Sequence, residues 1–454
     1  MKTYKIQKNI YCILAVATLL ACAQEEMNNL PVQAEMDVVA MKELPRYRTY
    51  EEALAVAQEA IGMLDESSVT RSGKSRTVST ADVQYITKTS STRSDGEPDT
   101  LMYVFNYEDN AGFAVVSANR ATEDLIAVTE QGNYVAGEET GNGGFDLYMD
   151  IAEEYVMRAL EPIPPIGGGG DDDGPIGFIQ YKIFTDRDTT HHEAYINVSW
   201  GQNADPYNRY CPTVTHPNNG STKTADAGCL AIALAGILSH LESPSSIKID
   251  FDNFIYTQSL DWNAIKRHKS YSSCNSTCTN SGHEQIALLC RQLGKDLGLD
   301  YTYADTGDDG SKIPSAINKM GLSVDAKSVM NFSLILSSLA SNRPVLMLAE
   351  ADKVQNGITY AADHAWVVDG YTRIGVTKRE CIKPDGQLLW TELSRNYESY
   401  HYLHCNWGWN GDCNGYFSSS VINPSEALKL DEGSRLNGYY DFDFYNFYIY
   451  TNIR

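Results

Sequence analysis

Basic residues are scarce in this chain of 454 residues. It carries 36 Lys and Arg against 59 Asp and Glu, a formal net charge of −23. Phosphate binding needs a local excess of Lys and Arg, which no stretch supplies, so the composition argues against a nucleic-acid partner. With 43% hydrophobic residues and 29 tyrosines, the chain is too apolar to be disordered as a whole, and its length fits two or three domains.

Histidine is absent from the first 190 residues, which also contain only two of the ten cysteines, Cys12 and Cys22. All nine histidines and the other eight cysteines follow. Nucleophilic and acid–base catalysis depend on these side chains. We therefore expect the chemistry beyond residue 190, and interaction or regulation in the part before it.

Long apolar runs are lacking, apart from one of about a dozen residues near the N-terminus. Three lysines within the first eight residues precede the apolar segment 10–21, which is too short for a ~20-residue membrane span. Residues 1–21 are therefore predicted to be a signal peptide. The sequence Leu-Leu-Ala before Cys22 resembles the bacterial lipobox, so we expect Cys22 to be lipidated. An ordinary signal peptide is the alternative.

The segment 162–177, PIPPIGGGGDDDGPIG, breaks the composition of the chain. Glycines are costly to order, prolines resist regular structure and adjacent aspartates repel each other. We predict that residues 162–190 are a linker and maturation region between domains at 22–161 and 191–454. A calcium loop built from the aspartates at 171–173 is the alternative, which their adjacent spacing disfavours.

The first domain is predicted to be a small α+β unit. Thr49 and Glu52 have the spacing of a capping box, and apolar residues then recur at helical intervals up to Leu64. Alternating aromatic residues at 103–107, a polar turn with Gly112 and further alternation at 113–117 are typical of a β-hairpin.

Cys229 opens an apolar segment, LAIALAGILSHL, whose leucines and isoleucines lie on one helical stripe that ends before Pro244. A cysteine in the first turn of a helix is stabilised as the thiolate by unpaired N–H groups and by the helix dipole. Gly228 would keep the approach to the sulfur open. The alternative is that Cys229 is simply a small buried apolar residue.

His364 is predicted to open a strand that closes at Gly370, and a second strand, 402–407, contains Asn406 and leads into a turn-rich loop. A cysteine thiolate needs an imidazolium partner, and an Asn oxygen can fix the imidazole orientation. Trp407 or Trp409 would shield that contact from water. His364 lies 135 residues after Cys229, within the ~130–150-residue window of papain-like enzymes.

Taken in order, these motifs resemble those of the streptopain-like cysteine peptidases over roughly residues 195–440. The matching motifs are Trp200-Gly201-Gln202, Pro206-Tyr207-Asn208, Cys211-Pro212, Ala227-Gly228-Cys229, the strand His364 to Tyr371, Asn406-Trp407-Gly408-Trp409, Gly415-Tyr416-Phe417, Asn423-Pro424 and Asn437-Gly438-Tyr439.

The resemblance implies an α+β fold: a papain-like peptidase of two subdomains preceded by a small α+β prodomain. It also implies a catalytic pair of Cys229 and His364. Gln202 would join the backbone N–H of Cys229 in the oxyanion hole, and Asn406 with Trp407 and Trp409 would orient and shield the histidine. Substrate contacts are expected at Gly228, Asp363 and Trp366.

The family also carries an inhibitory propeptide, and the residues at 112–119 and 133–134 are similar to such prodomains. No cofactor or metal is expected. The partners would be protein or peptide substrates and the chain's own propeptide, with membrane contact only through a lipid anchor.

Seven cysteines remain after Cys12, Cys22 and Cys229 are assigned. Cys274, Cys278, His283 and Cys290 invite a zinc interpretation, but their spacing matches no recognised ligand pattern, and an exported protein more often forms disulfides. Seven is an odd number, so at least one of these thiols is unpaired, and their connectivity stays open.

The sequence therefore predicts an exported or lipid-anchored cysteine endopeptidase made as a zymogen. We expect it at the outer membrane, in the periplasm or at the cell surface. Release of the mature peptidase to the outside of the cell is an alternative to its staying tethered. Two alternatives stay open. One is a catalytically silent or inhibitory binding protein, and the other is a Cys–His amidase of cell-wall material.

Overall fold

The structure is a computed structural model, and the statements below concern the residues that it describes. These are 46–65, 76–87, 100–159, 179–252, 255–270, 280–307, 310–355, 358–361, 363–384, 388–422, 438–441 and 447–454. The predicted signal peptide, the lipidation site Cys22 and residues 162–178 of the predicted linker lie outside them.

The first part of the chain has two helices and four strands of the long sheet, of which the sequence predicts the first helix and the hairpin. Its elements are α1 (Tyr50–Asp65), β1 (Val78–Thr87), β2 (Thr100–Tyr107), β3 (Phe113–Ser117), β4 (Leu125–Thr129) and α2 (Gly143–Arg158). The capping box is confirmed, because the N–H of Thr49 donates to Glu52 Oε2 at 2.8 Å and the N–H of Glu52 donates to Thr49 Oγ1 at 3.3 Å. The hairpin is confirmed as well: β2 and β3 pair antiparallel around a short helical turn at Glu108–Asn110.

The second part combines helices with the rest of the strands. Its helices are α3 (Cys229–Leu241), α4 (Trp262–Arg267), α5 (Asn280–Leu297), α6 (Ile313–Lys319) and α7 (Phe332–Ala340). Its strands are β5 (Ile179–His192), β6 (Thr213–Thr215), β7 (Thr222–Thr224), β8 (Ser246–Ile249), β9 (Tyr256–Ser259), β10 (Asp300–Tyr301), β11 (Thr306–Gly307), β12 (Ser328–Val329), β13 (Val345–Ala349), β14 (Asp352–Gln355), β15 (Ile358–Ala361), β16 (His364–Pro384), β17 (Thr391–Asn406), β18 (Gly415–Ser418), β19 (Gly438–Asp441) and β20 (Phe447–Tyr450).

One sheet runs through both parts in the order β1-β2-β3-β4-β18-β17-β16-β13-β20-β12, and β5 pairs with β16. The two parts meet where β4 pairs antiparallel with β18, with Ala127 opposite Phe417 and Thr129 opposite Gly415. The first domain therefore satisfies the backbone groups of a strand that would otherwise be a sheet edge.

Three apolar clusters hold these elements together. The first surrounds the buried helix α3 and the adjacent α5, and the second lies between the long sheet and the helices α2 and α7. The third packs the alanine face of α1 against β2, β3 and, from the second part of the chain, Tyr402 and Tyr416. The catalytic candidates lie between the first two clusters, since α3 carries Cys229 and β16 carries His364.

The strand that begins at His364 was predicted to close at Gly370, and this end is wrong. β16 continues to Pro384, and β17 begins at Thr391 rather than near residue 402. Gly370 does not end the strand. It allows close approach, since a Cβ there would lie 2.9 Å from the carbonyl oxygen of His192. The described end of the predicted linker, residues 179–190, belongs to β5, which pairs with β16.

Residues 179–186, 377–384 and 388–396 belong to a compact unit of their own, which we call the arm. The remaining described residues of both parts belong together to the other unit. Within the described residues, no helix has both the length and the apolar character needed to cross a bilayer.

Candidate active site

Cys229 is the first residue of α3, as predicted. Gly228 precedes it at φ 92°, and a Cβ at Gly228 would lie 2.7 Å from Leu299 Cδ1, so only glycine fits there without a shift. Every residue from 230 to 239 is buried. The thiol is therefore held at the start of a helix that cannot move independently of the core.

His364 is the first residue of β16, where it pairs with Ala349 of β13. Its side chain is buried, and Nε2 lies 3.1 Å from the carbonyl oxygen of Trp407. Among the described residues, no hydrogen bond joins the imidazole to the Cys229 thiol. In this structure the imidazole thus contacts a backbone carbonyl rather than the candidate nucleophile.

The start of α2, in the first domain, covers this imidazole. Gly144 packs so closely that a Cβ there would lie 2.2 Å from His364 Cδ2 and 2.7 Å from Trp407 Cε3. Asn142 caps the helix by accepting from the N–H of Phe145 at 3.2 Å, and its Nδ2 donates to the carbonyl oxygen of Asp412 at 2.9 Å. A helix end of the prodomain is thereby fixed against the histidine.

The pKa values of Cys229 and His364 are both shifted toward the uncharged forms of these groups. Burial raises the pKa of the Cys229 thiol to about 12, although backbone N–H groups of Ala365 and Leu230 oppose the shift. Burial also lowers the pKa of His364, against the effect of the Trp407 carbonyl. Both groups are therefore neutral near pH 7, and these two side chains do not form a thiolate–imidazolium pair.

Gln202 contacts the segment that leads into α3. Its backbone oxygen accepts from the N–H of Ala227 at 2.8 Å, and its side chain is buried. The preceding residue, Gly201, forms a β-bridge with the half-buried Trp409. The structure thus brings together Gln202, Cys229 and the tryptophan loop from three distant parts of the sequence.

Asn406 lies at the end of β17 but does not contact His364 in this arrangement. Its Nδ2 donates to the carbonyl oxygen of Val198 at 2.9 Å, and its Oδ1 accepts from the N–H of Gly408 at 3.3 Å. Trp407 is buried, and its indole N–H donates to the carbonyl oxygen of Cys413 at 3.0 Å. The orienting role of Asn406 stays a prediction for the mature enzyme.

Of the expected substrate contacts, Asp363 is exposed and its Oδ1 accepts from the N–H of Ala351 at 2.9 Å. Trp366 differs from the expectation because it is buried. Alternate residues of a strand face the same side, so its ring stacks on His364 at 6.3 Å and packs against Trp407 at 5.0 Å. The Trp366 ring therefore supports the imidazole of His364, and it has no exposed surface that a substrate could contact here.

One buried charge cluster was not predicted. His404 Nδ1 lies 2.6 Å from Asp369 Oδ1, and its Nε2 lies 3.5 Å from Glu130 Oε1 of the first domain. Burial alone would lower the pKa of His404, but Asp369 and then Glu130 outweigh it and raise the pKa to about 10. The cluster joins β16 to β17 and to the prodomain. The sequence signal that could have indicated this cluster is an ionisable residue within an apolar strand: Asp369 in β16 and His404 in β17.

A second polar contact between the domains is made by Glu123. Its buried carboxyl group accepts hydrogen bonds from the hydroxyls of Ser418 and Ser420, and burial raises its pKa. Nearby, the hydroxyl of Tyr148 donates to the carbonyl oxygen of Ser418 at 3.1 Å. The prodomain is therefore held by specific polar contacts as well as by strand pairing.

The cysteines that the structure describes are free thiols: Cys211, Cys229, Cys290, Cys381, Cys405 and Cys413. Cys274 and Cys278 lie outside the described residues, so the zinc interpretation of that segment is untested. Within the described ranges, no group of three His, Cys, Asp or Glu side chains is arranged to hold a metal ion.

Comparison with known proteins agrees with this arrangement. Residues 200–417 match the model of the Peptidase C10 family, and residues 45–156 match that of the Spi protease inhibitor. Residues 200–417 are a Peptidase C10 family domain, and the chain is a streptopain-like cysteine endopeptidase that carries an inhibitor-type prodomain, as a zymogen does. Neither alternative, the silent binding protein or the cell-wall amidase, is favoured.

Among curated relatives, streptopain of Streptococcus pyogenes is 22% identical over 363 residues, which cover 74% of this chain and 78% of the relative. The thiol protease/hemagglutinin PrtT of Porphyromonas gingivalis is 24% identical over 366 residues, covering 75% of this chain and 36% of the relative. Among solved structures, prointerpain A of Prevotella intermedia matches with a TM-score of 0.47 and 19% identity, covering 80% of this chain and 98% of that one.

Proposed function

We propose that Cys229 is the nucleophile and His364 the general base of this endopeptidase, and that residues 22–161 hold it inactive until the chain is cut within 162–190. In the mature enzyme, the thiolate of Cys229 attacks the substrate carbonyl and forms a thioester, and His364 protonates the leaving amine. Gln202 and the N–H of Cys229 stabilise the oxyanion, and Asn406 orients the imidazole.

The contact of Gly144 with His364 carries this proposal. It supports inhibition by displacement, because the covered imidazole donates through Nε2 to the Trp407 carbonyl and, among the residues described, has no hydrogen bond to the Cys229 thiol. Release of α2 would let the ring turn toward the thiol. Since β5 is paired from Ile179 onward, we expect the cut to fall upstream of it.

Location is part of the same proposal. The short apolar segment and the lipobox-like sequence support export and lipidation at Cys22, followed by tethering at the outer membrane or cell surface, or by release after the cut. Protein substrates are proposed from the family, without a specific sequence preference.

The test is self-maturation of the purified precursor in reductant, followed by casein hydrolysis and N-terminal sequencing of the product. Cys229→Ala should abolish both maturation and hydrolysis, whereas Cys290→Ala, which removes another buried thiol, should preserve both. If the purified Cys229→Ala chain matured unaided and cleaved casein, the assignment of the nucleophile would be wrong.

A further inference from the structure

The arm exposes an unusual concentration of large apolar side chains. Ten large hydrophobic residues are exposed among the described residues. Three of them lie in one six-residue stretch of the arm: Leu388 at 95% exposure, Leu389 at 66% and Leu393 at 56%. All residues of β17 from 391 to 397 are exposed. Scattered exposed leucines are ordinary, but a cluster indicates a binding surface.

Cations and aromatic rings are stacked on one another within the same arm. Lys383 Nζ lies 5.1 Å from the ring centroid of Trp390, the residue after the Leu388-Leu389 pair. The Trp390 ring packs edge-on against Phe184 at 5.7 Å. Phe184 in turn has Lys182 Nζ at 5.1 Å and Arg379 Cζ at 5.7 Å from its centroid. The arm thus combines the exposed leucines with an amphipathic tryptophan and three cations, of which Arg379 is also ion-paired with Asp186 at 2.7 Å.

The charge of the arm is opposite in sign to that of the protein. By sequence, residues 179–186 and 377–396 contain five Lys or Arg and four Asp or Glu, a net charge of +1, whereas the whole chain carries −23. A surface that binds basic partners would be negatively charged, like the chain as a whole. A local positive charge around leucines and a tryptophan suits an anionic interface that has an apolar interior.

We propose that the arm is a membrane-contacting element that inserts Leu388 and Leu389 into the interface of an anionic phospholipid bilayer. Trp390 would sit at the headgroup level, and Lys182, Arg379 and Lys383 would lie against the phosphates. This contact is separate from the acyl anchor at Cys22 and from the peptidase site. It would hold the enzyme at a lipid surface even without an acyl chain.

The experiment is co-sedimentation with vesicles of phosphatidylcholine alone and of an equimolar mixture with phosphatidylglycerol. The protein is the chain left by the predicted signal cleavage, with Cys22→Ser to prevent acylation and Cys229→Ala to prevent self-cleavage. We expect binding to the anionic vesicles. Leu388→Asp with Leu389→Asp should weaken it at least about tenfold, because the inserted apolar area is lost.

Two further variants separate the parts of the proposal. Lys383→Gln should weaken binding roughly fivefold on anionic vesicles and leave phosphatidylcholine binding unchanged. Ile255→Asp is the matched control, since Ile255 is 81% exposed outside the arm, and it should bind like the parent chain. Thermal unfolding of each variant checks the fold.

The proposal is overturned if the parent chain does not sediment with either vesicle type, or if the double leucine variant binds as well as Ile255→Asp. A different outcome would indicate that the exposed leucines of the arm bind substrate proteins instead. In that case the parent chain would not bind vesicles. The double leucine variant, made in a chain that keeps Cys229, would cleave casein more slowly than the parent but a short peptide at the same rate.

Discussion

The substitution Gly144→Ala adds one methyl group at the point where the start of α2 covers His364, and so tests whether that contact inhibits the enzyme. The added Cβ would lie 2.2 Å from His364 Cδ2 and 2.7 Å from Trp407 Cε3, so it needs roughly 1.3 Å more room to reach an ordinary contact with the imidazole. Neither ring can yield easily, because both are buried and the imidazole is hydrogen-bonded to the Trp407 carbonyl. The start of α2 must move away instead.

Overpacking of this kind costs about 1–3 kcal/mol, equivalent to a roughly 5–150-fold loss in the equilibrium that favours the docked prodomain. The assay is the rate at which purified precursor converts to mature enzyme in reductant, followed on gels. We expect Gly144→Ala to mature faster by a factor in that range. Its unfolding temperature should change little, because most of the core is untouched.

Gly143→Ala is the matched control. Gly143 is the neighbouring residue in the same helical turn, and a Cβ there has nothing within 4 Å. Both variants gain the helix propensity of alanine, so a difference between them reports the contact with His364. Equal maturation rates, or slower maturation of Gly144→Ala alone, would refute the proposed mechanism of inhibition.

Three further predictions concern polar groups. Gln202→Ala should lower kcat of the matured enzyme by about 10²–10³ with little change in KM, measured on a short peptide; an unchanged kcat would remove Gln202 from the oxyanion hole. His404 has a pKa raised from 6.5 to about 10, so its stabilisation is complete below pH 6.5 and is lost toward pH 10, by at most about 1.4 kcal/mol per pH unit. His404→Gln should flatten that part of a pH series of urea unfolding, and a slope equal to that of the parent would contradict the ion pair. Glu123 has a raised pKa, so its contact favours the docked prodomain at acid pH and loses that contribution as pH rises. Glu123→Gln should slow maturation at neutral pH and change it little at acid pH, and the reverse pattern would exclude a buried charge as the cause.

The elements with strong local signals could be predicted from the sequence. The capping box fixed the start of α1, and the apolar stripe after Cys229 indicated α3 because these patterns depend only on nearby residues. His364 at a strand start was also found. Gly370 was misjudged, since glycine marks both turns and close approaches, and only the neighbouring chain at His192 decides between them.

The contacts between the domains could not be predicted in this way. Nothing in the local sequence of Gly144 indicates that it lies on His364, because that contact depends on how α2 and β16 are brought together by the pairing of β4 with β18. The pairing of His404 with Asp369 likewise depends on strand register. Long-range contacts of this kind determine the resting state, whereas short motifs indicate the chemistry.

The most direct test of the account is the alkylation rate of individual thiols, measured by mass spectrometry before and after removal of the prodomain. Cys229 should react slowly with iodoacetamide in the precursor, where burial raises its pKa to about 12, and fastest of the described thiols in the matured enzyme. His364→Ala should abolish that gain. Cys229 reacting no faster than Cys211 or Cys413 after maturation would contradict its role as the nucleophile.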